Sequence, residues 1–539
     1  MHSCLLIDEI LEKIGGFVGF DDAYNSSMIV HDKKSLLAFI LTCHTFAEPG
    51  LNILWATLDS IYPLAFTFPT NVIPQIEQGP NGLKTVMGLS PIPGPDDWTL
   101  FNRYARRVKA LYMSSYARSD GLRFLTEIAV HRPVGTLFPN LRVLGWTDMR
   151  QEMVPYISLF MGPALTKVDI EIYSEDMYIT FWDSLRHLSP AVQKIDLSSD
   201  GYAPSDLAFG SLSRAFCSLR HLTRLNTDYN PFDILPEHLT YLANVASLQT
   251  MTCCLRRGPN EGSHRMAAIM MEDYFPSLER LDIEIHDLDS FRAFLTCYRL
   301  PKMTFLQFRL QMQPLAKELK QLFEALQDKS QLTTLFVHLE LPNNSQPHIS
   351  QRYILTDATL LPLFKLRLLS SFALDGFPCA ITRVSFSRMA EAWPNLEYLA
   401  ICRRRSLQPI PATDCLHIQD LDIFSPATYP RLRRLSFSMN MEVTDSMKVK
   451  ISARAIRCVP PEPLTLYFAD SDMPDVDAQP KIAAYLTSIF PGVLVANASL
   501  PTPGYLWFAG LVELFNKVRD SERNYSHSTV PEVTDETTI

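Results

Sequence analysis

Glycine is scarce, at 20 of 539 residues. Loops that cradle phosphate are built from glycine, and neither G-x-x-x-x-G-K-[ST] nor G-x-G-x-x-G occurs. H-E-x-x-H and G-x-S-x-G are missing as well, and the histidines show no ligand spacing. The densest acidic stretch, Asp470 to Asp477, departs from a calcium loop: Asp475 stands where the loop needs glycine, and Lys481 where it needs a bidentate glutamate. The expectation is a protein that is not an enzyme, with no catalytic, metal or cofactor-binding residues. Long apolar runs are missing too, since the longest, Leu36 to Leu41, is far too short to span a bilayer.

Paired cysteine spacings are absent. The 10 cysteines are scattered, and the adjacent pair Cys253 and Cys254 points to opposite faces of a strand, which suits buried free thiols in a reducing compartment. Asp8 and Glu9 interrupt the apolar start after three residues past Cys4, so no secretory signal is expected. Cytoplasmic or nuclear residence follows. Positive charge is not in excess either: a net charge of −9 argues against broad nucleic-acid binding, and the clusters Arg403 to Arg405 and Arg431, Arg433 and Arg434 are local.

What is present is a repeat. The stretch Leu278-Glu-Arg-Leu281-Asp-Ile283 places apolar residues at positions 1, 4 and 6, a spacing that faces one core only if its last part is a short strand entered through a turn. The same unit recurs at Val108/Leu111/Met113, Leu141/Leu144/Trp146, Leu165/Val168/Ile170, Val192/Ile195/Leu197 and Leu248/Met251/Cys253. It continues at Met303/Leu306/Phe308, Leu332/Leu335/Val337, Leu369/Phe372/Leu374, Leu396/Leu399/Ile401 and Leu432/Leu435/Phe437, with a poorer copy at Leu222/Leu225/Thr227. The spacing varies from 24 to 37 residues.

Five copies follow an aromatic-proline pair: Phe138-Pro139, Phe275-Pro276, Trp393-Pro394, Tyr429-Pro430 and, before a degenerate last copy at Val493, Phe490-Pro491. Proline moves the residue before it out of the helical region, so each pair closes a helix and opens a strand. One repeat of this length forfeits on the order of 30 kcal/mol of backbone entropy, while three buried strand residues return about 1.5 to 3 kcal/mol each. Neighbours must therefore stack. The reading is α/β: a leucine-rich-repeat solenoid with parallel strands on the concave face and helices on the convex face.

The first 60 residues lack the repeat. Ile7, Ile10, Leu11, Ile14, Phe17 and Val18 predict one helix, loosened at its end by Gly15-Gly16; Leu36, Leu37, Ile40 and Leu41 predict a second, to about Phe46; Glu48-Pro49 opens a third carrying Leu51, Leu54, Trp55 and Leu58. Residues 61–105 read as a connector whose prolines and glycines exclude regular structure, pinned by Phe66 and Phe68. The array spans 106–498, a capping helix 499–518, and a disordered tail 519–539.

The residues Leu6-Ile-Asp-Glu9-Ile10, Leu36-Leu37 through Cys43-His-Thr-Phe46, and Leu54-Trp55 resemble the F-box, and with the repeats the chain is similar to the large fungal set of F-box proteins carrying leucine-rich repeats. Ile7 replaces the F-box proline and the loop from Asp21 to Lys34 is long. The resemblance implies a substrate-recognition subunit of a cullin-RING ubiquitin ligase of the SCF type. Leu6, Ile10, Leu36, Leu37, Ile40, Leu54 and Trp55 would meet the Skp adaptor, and the repeats an unknown protein substrate, with no nucleic acid, membrane or cofactor involved. The alternative is a repeat scaffold with no ligase role.

Residues at positions 3, 5 and 7 face away from the core, and parallel stacking aligns them in rows. Lys167, Lys194, Arg224 and Arg280 occupy the third position, Asp169, Asp196, Asn226 and Asp282 the fifth, and Glu171, Asp228 and Glu284 the seventh; the copy at Leu248 interrupts them with Thr250, Thr252 and Cys254. Later in the chain Phe305, Phe336 and Tyr398 read as exposed aromatics of the third row. The expected substrate surface is this composite: Lys167, Asp169, Lys194, Asp196, Arg224, Arg280, Asp282, Phe305, Phe336 and Tyr398, reading a segment of mixed charge.

Overall fold

A computed structural model describes residues 7–18, 33–78, 84–114, 122–133, 135–147, 150–199, 205–229, 233–234, 236–255, 275–341, 350–402, 416–437, 463–468, 475–490, 492–496 and 503–528. Leu6, Arg403 to Arg405, Asp470, Asp472 and residues 529–539 lie outside them. So do residues 21–32, most of the loop between the first two helices. The chain divides into two compact units, residues 1–254 and 255–539.

In the first unit the strands Thr57–Leu58, Ala110–Ser114, Val143–Thr147, Lys167–Ile172, Lys194–Ser199, Arg224–Tyr229 and Thr250–Leu255 lie side by side in that order, all parallel. In the second, Arg280–Ile285, Phe305–Leu310, Thr334–Leu339, Ser371–Asp375, Tyr398–Cys402, Arg434–Phe437, Thr465–Tyr467 and Leu494–Ala496 do the same. The register pairs equal repeat positions: Leu281 faces Leu306, which faces Leu335, then Phe372, Leu399 and Leu435. All of these are buried, as the spacing requires.

The links are helical for local reasons. Ser174 caps the helix Glu175–Leu188 by accepting from the Met177 amide at 3.3 Å, two acids sit in its first turn and Arg186 and His187 in its last, and Met177, Tyr178, Phe181, Trp182 and Leu185 form its buried stripe. Helices Arg383–Ala392 and Gln479–Ile489 end where Trp393 and Phe490 stand before proline. All five aromatics of these pairs are buried, so each seats a ring in the core where its repeat turns into a strand. Phe275 does so at φ 52°, a conformation unusual for a residue with a side chain.

Where the repeats turn into their strands, a second ladder runs beside the apolar one. The hydroxyls of Thr166, Thr223, Thr304, Thr333 and Ser370, each at position 2, donate to the position-2 carbonyl of the preceding repeat at 3.0 to 3.3 Å. A short hydroxyl residue at that position thus ties one repeat to the next.

Several expectations are corrected. Residues 61–105 fold: a 3-10 turn at Tyr62–Thr67, an antiparallel hairpin of Ile73–Gln78 and Lys84–Ser90, and a helix at Trp98–Ala105. Proline is tolerated there because Pro63 sits in a first turn and Pro74 in a two-stranded ribbon, where an amide can go unpaired. Phe68 is buried against Trp98 and Phe101, whereas Phe66 is exposed.

The terminal helix runs Pro503–Ser528, well past residue 518, so the stretch 519–528 is helical rather than disordered. It caps by burying Phe508 and Val512, with the Asn516 amide donating to the Val493 carbonyl at 2.8 Å. An unforeseen strand, Thr465–Tyr467, fills the long interval before Val493; its alternation of Leu464, Leu466 and Phe468 is that of a repeat, but Pro463 takes the first position.

Candidate functional site

The first unit's open strand face is a charged ladder. Lys167, Lys194 and Arg224 are register neighbours, as are Asp169, Asp196 and Asn226. Asp196 is the hub: Lys167 Nζ lies 3.4 Å and Arg224 Nη2 3.5 Å from its carboxylate, and Asn226 Nδ2 donates to it at 3.2 Å. Burial, and then the neighbouring Asp196 charge, push the Asp169 carboxyl above its ordinary value. Lys194 is exposed and has no ion pair among the described residues.

The second unit begins in the same way and then changes. Asp282 is engaged by Arg309 at 3.3 Å, across from its own strand, and both side chains are mostly covered. Arg280 turns instead onto a ring, its Cζ 3.5 Å from the Phe305 centroid. Phe305 meets Phe336 edge to face at 5.7 Å, Phe336 meets Tyr398 at 5.8 Å, and Arg434 covers Tyr398 at 5.0 Å. Burial raises the Tyr398 hydroxyl above its ordinary pKa.

Two details of the expected surface are corrected here. Phe336 pairs with Gln307 and Ala373, which places it in the fifth row and not the third. The third row holds Thr334 and Ser371 between Phe305 and Tyr398; these are short, so Phe336 can lie across to both rings. Secondly, Phe305, Phe336 and Tyr398 are half-buried and not exposed, because each covers part of the next. The five charged residues Lys167 to Arg224 belong to the first unit, and Arg280, Asp282 and the three aromatics to the second.

At the start of the first unit, helices α1 (Asp8–Val18), α2 (Lys33–Thr42) and α3 (His44–Leu54) form a small head. Leu36, Phe39 and Ile40 make its core, with Phe46, Leu51, Ile53 and Leu54 packed on them. The boundary between α2 and α3 falls at Cys43, whose backbone is extended, so Pro49 lies inside α3 instead of opening it. Gly15 does not end α1; a Cβ there would lie 2.6 Å from Ile53 Cδ1, and one on Gly50 2.4 Å from Ile40 Cγ1, so glycine permits the helices to touch. Glu48 anchors the head by ion pairs to Arg103 and Arg107, and chiefly the Arg107 hydrogen bond holds its carboxyl below the usual range.

Of the residues expected to meet an adaptor, Leu36 and Ile40 are thus turned into the head, Ile10 and Leu54 are half-buried, and Trp55 is tilted against Tyr104 at 4.6 Å. Leu37 faces outward. Ile7 just before α1, Ile14 and Phe17 on it, and Leu41 one turn after Leu37 on α2, are exposed as well; Phe17 is 83% and Leu41 75% accessible. Phe17 and Leu41 were legible only as members of an apolar spacing, which does not say which side is inward.

No protein-family model matches the chain, and no curated protein does. A solved structure it resembles is the complex of Rad7 and Elc1 in yeast, at 14% identity over 67% of this chain and 80% of that one, with a TM-score of 0.29.

The rows bring together the residues expected of a binding face, unit by unit. Arg434 is the member that the sequence reading left out. It was noted only as part of a basic cluster, while its place in the third row beside Tyr398 follows from the repeat register.

Proposed function

We propose that this chain is a non-catalytic substrate receptor for a ubiquitin ligase of the Skp–cullin type, its helical head binding the adaptor and its strand faces holding a protein substrate in the cytoplasm or nucleus. The observation that carries the reading is the exposure of large apolar side chains on the head: Leu37 and Leu41 on α2, Ile14 and Phe17 on α1 and Ile7 just before it. Ile7, Leu37 and Leu41 fall within the segments that resemble an F-box, and Ile14 and Phe17 follow on the helix after the first of them. Apolar residues of this size, repeated at helical spacing in so small a domain, mark a face that a partner covers. The repeats supply what a receptor needs next, two rows of side chains held on rigid strands.

The test is capture of a Skp adaptor by the full chain and by the variant Leu37→Glu/Leu41→Glu. Both residues are exposed, so the thermal melt should stay in place while adaptor binding falls at least 30-fold, roughly 2 kcal/mol. Undiminished capture would move the docking face elsewhere. Failure of the parent chain to bind any Skp adaptor would favour the scaffold without a ligase role.

A further inference from the structure

The strongest uncommitted feature is the aromatic row of the second unit and its two arginines. Of the acids on this face, Asp282 is ion-paired with Arg309 at 3.3 Å, while Glu284 and Asp375 lie 3.1 Å from His286 and 3.6 Å from His338, contacts that are ion pairs only when the imidazole is protonated. Arg280 and Arg434 are exposed, rest on the rings of Phe305 and Tyr398, and have no carboxylate within 4.0 Å among the described residues. A guanidinium on a ring keeps its charge and its outward donors free for a second partner. The row therefore ends in positive charge on both sides, with apolar surface between.

We propose that this row binds an extended peptide bearing an aromatic or large apolar side chain midway between two acidic residues no more than about six positions apart. The spacing comes from the ring contacts. Running from Arg280 through Phe305, Phe336 and Tyr398 to Arg434, they hold the two guanidinium groups no more than about 20 Å apart, and an extended chain advances about 3.3 Å per residue. Its two carboxylates meet the guanidinium groups as charge-assisted hydrogen bonds, and its central ring packs on Phe336 and Tyr398. Ala373 and Ala400, at fifth positions, are buried and present no bulk above the sheet. A nucleic-acid strand suits the face less well, since Glu284 and Asp375 lie on it and the chain is acidic overall. The proposal rests on the receptor reading and names the segment a substrate presents, but it makes no use of the adaptor.

Fluorescence anisotropy on the full chain tests it, with a labelled peptide of about ten serine and glycine residues carrying Glu at positions 2 and 8 and Trp at position 5, about the span derived above. Saturable binding is expected, weakened at least tenfold when both Glu become Gln, when Trp becomes Ala, or in Arg280→Glu/Arg434→Glu. A peptide with Lys at positions 2 and 8 should bind that double variant better than the parent, a swap that a misfolded variant cannot produce. No saturable binding by the parent, or binding indifferent to the double substitution, overturns the proposal. So does an oligo(dU) strand that binds more tightly than the peptide and is lost in the same variant, which assigns the row to single-stranded nucleic acid. Adaptor capture by Arg280→Glu/Arg434→Glu is expected to equal that of the parent, so the peptide site and the receptor reading fail separately.

Discussion

The two strand faces are built on one geometry and end in opposite electrostatic states. In the first unit the carboxylate of Asp196 draws in Lys167, Arg224 and Asn226, and the row largely neutralises itself. In the second, Arg309 takes Asp282, and the third-row arginines are left on aromatic rings with no counter-charge among the described residues. The difference comes from a few positions. An acid in the fifth row beside a base in the third closes the face on itself; an aromatic in the same rows separates the bases and leaves them needing a partner. A self-satisfied ladder contributes to solubility and stability, whereas an unsatisfied one contributes to recognition.

Substitution at the centre of each row should expose that contrast. Phe336→Ala removes the ring joining Phe305 to Tyr398 and is expected to cost about 1.5 to 3 kcal/mol in denaturant unfolding. Asp196→Ala should cost less, about 0.5 to 1.5 kcal/mol, because the pairs it loses are partly exposed. Salt separates the two. At ~1 M sodium chloride the Asp196 loss should shrink, since its attraction to Lys167 and Arg224 is screened, while the Phe336 loss should not. Equal salt dependence in the two variants would mean that both faces are held by the same forces, and the comparison would fall.

How much of this was legible follows from what a one-dimensional spacing records. Positions 4 and 6 are apolar in nearly every copy, so the strands, their order and their register could be written from Leu281, Leu306 and Leu335 alone. Proline at its first position hides Thr465–Tyr467 from the spacing, and proline hides the Ile73–Gln78 hairpin because it reads as a bar to strands although a two-stranded ribbon accepts it. Phe336 was put in the wrong row: counting from Leu332 gives position 5, and the register settles it. The head shows a deeper limit. Leu36 and Leu37 are adjacent and equally apolar, as are Ile40 and Leu41, and only the approach of α3 through Gly50 determines which of each pair is buried. Partner-facing and core-facing residues look alike until the neighbour is placed.

The smallest effect tests the first face from inside. Asp169 sits beside Asp196 in register, and burial together with that like charge raises its pKa in the folded chain above the unfolded value. A raised carboxyl pKa means that the folded state prefers the protonated form, so the ionised group lowers stability above the folded pKa, and that cost disappears as pH falls through the folded pKa to the unfolded one. Asp169→Asn should therefore be slightly more stable than the parent near pH ~7, with the gap closing as the buffer approaches pH ~4. Urea unfolding of the two proteins at several pH values measures the gap. An asparagine variant that is less stable near neutrality would show that attraction to Lys167 outweighs burial and Asp196, and that even the crowded carboxylates of this face are net contributors to it.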